Sequence, residues 1–213
     1  MLSPVVDLYV RRIAKKEHRS LPENYKFILQ EFAEKYSTNK VRVHYLWLWD
    51  AGGRFPNASA TIPGVILVNS VWASLLIDNY ADETITDAFN MTIGHEMTHQ
   101  ENDYFYIEPF SGNQKFVNWV NEIHADYGGI IKAFDGDISR GINALEFKKK
   151  CKGKKDKDCQ SHPSWKRRIE YIRKYDFNDD LIKKVAETTG CKNQKLINIL
   201  CVFYDNIELR RPT

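Results

Sequence analysis

Residues 83–101 read ETITDAFNMTIGHEMTHQE, and the fold turns on whether His95-Glu96-Met97-Thr98-His99 within that stretch lies on a helix. At about 100° per residue, Ile85, Ala88, Phe89, Thr92, His95, Glu96 and His99 fall within a little over a third of a turn. The stretch is therefore a helix whose imidazoles share a side with its apolar residues and face protein rather than bulk water. Two histidines four apart on one helical face can bind one Zn2+ through ring nitrogens at ~2.0–2.1 Å, and the glutamate between them reaches the metal-bound water. Zinc lowers the pKa of that water to about 7, so that Glu96 can take its proton and pass it to a leaving amine. The same pentapeptide also arises by chance on ordinary helices, so its reading as chemistry needs a third ligand.

Residues 118–129 (NWVNEIHADYGG) offer one. In this second helix Phe116, Val120, Ile123, Tyr127, Ile130 and Phe134 form the apolar stripe, while Glu122 and Asp126 lie together on its flank. Glu122 can complete a zinc site. Asp126 can accept the free N–H of a ligating histidine, which fixes the tautomer and raises ligand basicity. The bland alternative makes Glu122 and Asp126 a solvated edge of an amphipathic helix. His124, roughly opposite the centre of the stripe, is expected to be solvated.

Outward from these two helices the chain reads as one alternation of elements with no internal repeat. Ser3-Pro4 opens a helix to about Lys16, and Ser20-Leu21-Pro22-Glu23 is a capping box opening another, with Tyr25, Ile28, Leu29, Phe32 and Tyr36 on one face. Residues 41–50 (VRVHYLWLWD) and 64–69 (GVILVN) are strands, and PNASATIP at 56–63 between them is an extended edge segment. Helical periodicity then continues over 70–78, 83–101, 115–134, 138–150, 164–175, 179–188 and 193–204. The class is α+β and mostly α. A single domain over 1–213 is expected, with N-terminal helices (1–37), a catalytic core (38–175) and C-terminal helices (176–213).

Composition narrows the function. With 213 residues, 43% hydrophobic and 27 aromatics (11 Phe, 11 Tyr, 5 Trp), the chain can bury its own core. Lys and Arg number 31 against 28 Asp and Glu, and residues 148–158 (KKKCKGKKDKD) carry seven Lys and two Asp, so the rest of the chain is near neutral. That argues against a nucleic-acid partner, whose footprint is a basic face. It leaves one basic segment just before His162, which could overhang a cleft and steer acidic peptides, be a plain solvated loop, or take its shape from a Cys151–Cys159 bridge. The longest apolar stretch, residues 65–77, is too short to span a bilayer, and the N-terminus does not read as a signal peptide. The expectation is a cytoplasmic protein with no transmembrane segment and reduced cysteines at Cys151, Cys159, Cys191 and Cys201. The alternative is a secreted or periplasmic one whose signal has been removed.

Three motifs now stand in order: His95-Glu-Met-Thr-His99, the E-x-x-A-D of Glu122-Ile-His-Ala-Asp126, and His162-Pro163 followed by Arg168-Ile169. Asn57-Ala58-Ser59-Ala60 running into Pro63-Gly64-Val65-Ile66-Leu67-Val68 precedes them. Together, over about residues 40–175, they resemble the CAAX prenyl protease and HtpX-like gluzincin metallopeptidases. The resemblance implies a gluzincin-type domain with a small mixed sheet over the catalytic helix, and one zinc ion per chain held by His95, His99 and Glu122. It makes Glu96 the base and Asn57, Ala58, Ser59 and Ala60 an edge strand that holds an extended substrate by strand addition. His162 becomes a candidate donor to the oxyanion or substrate backbone, with a loop histidine ahead of a helix start as the alternative. Arg168 either braces the site or belongs to the basic face of Trp165-Lys-Arg-Arg-Ile169. Many members of that family carry transmembrane helices, which this chain lacks. Thr98 stands where Gly is usual and Ser59 where an aromatic is common, so packing and substrate fit differ while the ligands do not.

The expected function is a zinc-dependent metallo-endopeptidase acting on peptides or proteins through a zinc-activated water. The alternative is a zinc-stabilised regulatory or peptide-binding module with little turnover, which would have no use for Glu96.

Overall fold

The computed structural model describes residues 45–49, 55–62, 65–79, 82–102 and 112–205, together with Lys35, which lies in a helix. Apart from that residue, the two N-terminal helices expected from the sequence lie outside the described residues. The rest is mostly helical with a small sheet, an α+β arrangement.

Strands β1 (Tyr45–Trp49), β2 (Ala58–Ile62) and β3 (Val65–Asn69) form one mixed sheet in the order β1-β3-β2. β1 runs parallel to β3, with Tyr45 opposite Val65. β2 runs antiparallel to β3, with Ala58 opposite Val68, Ala60 opposite Ile66 and a bulge between Ala60 and Ile62. The segment expected as an extended edge is thus an outer strand. Asn69, 1% exposed, fixes its entry. Its Oδ1 accepts from Asn57 N (3.1 Å) and, as an N-cap, from Trp72 N (3.3 Å), while its Nδ2 donates to Phe55 O (2.6 Å).

The helices follow as α1 (Ser70–Asp78), α2 (Glu83–Asn102), α3 (Gln114–Phe134), α4 (Ile138–Lys152), α5 (Trp165–Lys174), α6 (Asp179–Thr189) and α7 (Gln194–Asp205). Their ends carry the chemistry that stops helices. Asp137, Ser164 and Asn178 cap α4, α5 and α6 with side-chain oxygens, and α6 closes on Gly190 in the left-handed region at φ 75°. The core joins all of them around Trp72, Trp119, Phe89 and Phe116, each fully buried, with Trp72 edge-on to Phe89 at 5.6 Å.

α2 is central. Instead of one apolar face it buries Ile85, Ala88, Phe89, Met91, Ile93, Met97 and Thr98 around most of its circumference, because β2, α3 and α4 all pack on it. α3 crosses it at glycines. A Cβ on Gly94 would lie 3.0 Å from Gly129 O, and one on Gly129 would lie 3.0 Å from His95 N, so the two backbones are nearly in contact. Beside that crossing stands Thr98, and Gly128 makes room for it: a Cβ on Gly128 would overlap the Thr98 side chain, whose hydroxyl donates to Gly94 O (2.8 Å).

Two expectations are corrected. His124 is not solvated but 2% exposed, because α7 and the segment before α6 cover the back of α3 with Tyr204 (4.5 Å) and Phe177 (4.9 Å). Burial, with His99 as the next contribution, pushes its pKa down to about 3, so it is a neutral core residue. The basic segment is not a plain loop either. It is helical to Lys152, turns through a short 3-10 helix at Gly153–Lys155, and is then tied to the start of α5. Asp156 accepts from Trp165 N (2.8 Å) and Lys166 N (3.1 Å), and Asp158 from Ser164 N (2.9 Å) and Arg167 Nε (2.8 Å). Cys151, Cys159, Cys191 and Cys201 are free thiols.

Candidate metal centre

α2 carries His95 and His99 one turn apart, and the glycine crossing brings α3 close enough for Glu122 to meet them. The two Nε2 atoms are 3.0 Å apart, and Glu122 carboxylate oxygens lie 3.6 Å from His95 Nε2 and 3.7 Å from His99 Nε2. These three residues are the group whose ligand atoms converge among the described residues, all within 4.8 Å of one another. Four-coordinate ligands at ~2.0–2.2 Å from one centre stand roughly 3.3–3.6 Å apart, and separations of 3.0–3.7 Å, with Glu122 turning one oxygen to each histidine, lie close to that range. The donor set, two imidazoles and a carboxylate, suits a first-row divalent metal such as zinc or iron. Side-chain exposures of 12% for His95, 14% for His99 and 17% for Glu122 put the group on a cleft floor, neither sealed nor on the surface.

A shell of charge holds these ligands. His95 Nδ1 is 3.0 Å from Asp126 Oδ1, which assigns the Nδ1 proton to that bond and leaves Nε2 a lone pair aimed at the cluster. Asp126, 1% exposed, is in turn clamped by the guanidinium of Arg168 through Nε (2.6 Å) and Nη2, and Arg168 Nη1 reaches Glu122 Oε2 (3.2 Å). Arg168 is 2% exposed and lies under the Trp165 ring at 4.0 Å, so it braces the site and is no part of a surface face. Burial alone would raise the Glu122 pKa, but the His95 imidazole beside it, and after it Arg168 and His99, hold it well below the carboxylate range. For Asp126, burial is likewise outweighed by Arg168 and His95. Both are anions at neutral pH.

Above the floor runs β2. Ala60 N donates to Glu96 Oε2 at 2.8 Å, so that N–H faces the cleft rather than β3. Alternation along a strand gives the Ala58 N–H the same edge. Asn57 is exposed and Ser59 half-buried, and all four residues of the expected edge line a cleft of about 710 Å3 together with His95, Glu96, His99 and Glu122. His162 stands on the rim of this cleft, exposed, with Nδ1 2.7 Å from Ser161 Oγ and 3.3 Å from Cys159 Sγ.

No family model, curated protein or solved structure matches the chain. The site therefore stands on its own geometry.

Two participants escaped the sequence reading. Asn69, which sets β2 over the site, carried the signal of an Asn before a helical run, the pattern of an N-cap. Lys148 stands in the cleft with Nζ 3.0 Å from Thr92 Oγ1, one turn before His95, and 4.8 Å from the Trp165 ring centre. Its helical spacing from the buried Ala144 and Leu145 was the available sign that it faces inward.

Proposed function

We propose that this chain is a zinc metallo-endopeptidase of gluzincin type, similar in its site to the CAAX prenyl protease and HtpX-like enzymes, that hydrolyses peptide bonds in peptides or proteins. The observation that carries the reading is the placing of Glu96 between a convergent His95–His99–Glu122 triad and the outer strand β2. A metal-binding module without turnover needs the triad but not a carboxylate between it and a peptide-binding edge.

Zinc bound there supplies a Lewis acid for the scissile carbonyl and lowers the pKa of a bound water. The chain supplies the rest. The β2 edge pairs with an extended substrate through the backbone at Ala58 and Ala60, which orients a peptide without reading much of its sequence. Glu96 gives up its bond to Ala60, takes a proton from the attacking water on its carboxylate, and delivers it to the leaving amine nitrogen. Asp126 and Arg168 keep His95 in one tautomer and Glu122 charged. His162, on the cleft rim, is the candidate donor to the oxyanion.

The test compares wild type with Glu96→Gln after zinc loading. Elemental analysis should find about one zinc in each, and casein or mixed-peptide cleavage should fall by at least about a hundredfold in the variant. Wild-type rates in Glu96→Gln would overturn Glu96 as base, and absence of zinc from supplemented wild type would overturn the site.

A further inference from the structure

The cleft wall opposite β2 is cationic. Lys148 and Lys152 stand one turn apart at the end of α4, Lys155 follows in the short 3-10 helix, and all three line the cleft. The inner end of this row is Lys148 at Thr92, beside the metal ligands in sequence and in space. The outer end is at the entry to β2, where the Nζ atoms of Lys152 and Lys155 each lie 5.4 Å from the Phe55 ring centre. The row thus runs beside the strand edge rather than away from it.

Its charge is not neutralised from within. Among the described residues no carboxylate lies within ion-pair distance of Lys148, Lys152 or Lys155, whereas on the other face Lys149 pairs with Glu146 at 2.8 Å. The carboxylates that share the cleft have nearer partners: Glu96 accepts from Ala60 N, Glu122 and Asp126 pair with Arg168, Asp158 with Arg167, and Asp156 with the backbone of α5. Burial, with Arg168 next, pushes the Lys148 pKa down to about 8, against the opposing charges of Glu96, Asp126 and Glu122.

We propose that the row Lys148–Lys152–Lys155 is a subsite for acidic side chains on one side of the scissile bond, so that this chain selects peptides with a short Asp/Glu run there. The proposal rests on the reading of β2 as the substrate edge and names the substrate class of that site. An extended acidic peptide satisfies both walls at once, its backbone on β2 and alternate carboxylates on the lysines. A nucleic-acid strand matches the charge but has no backbone amides for the edge.

The experiment uses labelled decapeptides with one common centre and an Asp/Glu triplet before it, after it, or replaced by Asn/Gln. Binding to zinc-loaded Glu96→Gln is read by anisotropy, and cleavage by wild type is read separately. At about 0.01 M salt the triplet on one side should tighten binding about tenfold over the neutral peptide, the triplet on the other side much less. The gain should shrink at about 0.15 M salt, where screening shortens to ~8 Å. Lys152→Glu/Lys155→Glu, exposed positions whose exchange leaves the core alone, should abolish it, and Lys152→Gln/Lys155→Gln should reduce it. Equal gains on both sides, no gain, a gain that survives the double reversal, or equally row-dependent binding of a single-stranded RNA decamer would each overturn the proposal. Charge-selective binding with no cleavage would sink the peptidase reading and leave the subsite. Cleavage with no charge preference would do the reverse.

Discussion

Arg168 shows how much a single side chain can hold at this site. It is the cation between the buried Asp126 and the half-buried Glu122, and its loss would leave the two carboxylates facing each other across the histidines. Breaking a buried pair by removing one partner costs about 3–5 kcal/mol, more than the pair itself contributes, because a charge is left uncompensated. Arg168→Met should therefore lower stability by that order in denaturant unfolding, and lower zinc affinity about 10–100-fold in competition with a chelator, while Arg168→Lys keeps part of both. From sequence, Arg168 was readable as a brace or as one of a run of surface cations. Neighbouring Lys166 and Arg167 look identical in composition, and only burial separates the three. Cysteine chemistry divides in the same way. Burial raises the Cys159 thiol, but hydrogen bonds from Ser161 and His162 outweigh it and bring it down to about 7, whereas burial, with Asp179 next, pushes Cys201 up to about 12. A depressed pKa means thiolate at neutral pH. Iodoacetamide should label Cys159 first, with a rate that climbs through about pH 7 and then levels, and Cys201 last, as peptide mass mapping would show. Uniform labelling would show that the Ser161–His162 contacts do not persist.

At the scale of elements, the site depends on how closely α2 and α3 approach, and that distance is set by Gly94, Gly128 and Gly129 against Thr98. An alanine in a helix interior is ordinarily worth about 1 kcal/mol more than glycine. At Gly128 the added methyl meets Thr98 in a filled core, and overpacking costs about 1–3 kcal/mol. Gly128→Ala should come out destabilised despite better propensity, and Thr98→Ala should restore most of the loss. A double-mutant cycle in urea would give the coupling, and additive effects would mean that the two residues do not touch as described. The helices themselves were legible. Their 3.6-residue periods and capping residues placed α1 at the same bounds and the others within about two residues. What periodicity could not show was which helices have two covered sides. α3 exposes little of the flank opposite its stripe because α7 closes over it, with Tyr204 OH donating to Asn121 Oδ1 at 2.6 Å. The basic segment stayed open among three readings for a related reason: composition reports charge, and only the helical phase of Lys148 reports direction.

For the whole molecule, the candidate ligands come from two helices, their brace from a third and the substrate edge from the sheet, all built on one core. The order of the motifs was visible in sequence, since each is local. Their convergence depends on long-range contacts no local pattern encodes, among them the Asn69 hub and the glycine crossing. Among the described residues no helix is long and apolar enough to cross a membrane. An ion bound by His95, His99 and Glu122 ties α2 to α3 only while the tertiary structure exists, so its binding free energy adds to folding stability. With free zinc at about 1,000 times its Kd the gain is about 4 kcal/mol, which for a domain of this size raises Tm by roughly 8–16 °C. Zinc should produce that rise in wild type and in Glu96→Gln, which keeps the ligands, and EDTA should reverse it. In Glu122→Gln the rise should shrink to a small fraction, because an amide oxygen lacks the charge the ion needs. A shift of equal size in Glu122→Gln would place the metal elsewhere, and a rise in wild type that Glu96→Gln lacks would make Glu96 a ligand rather than a base.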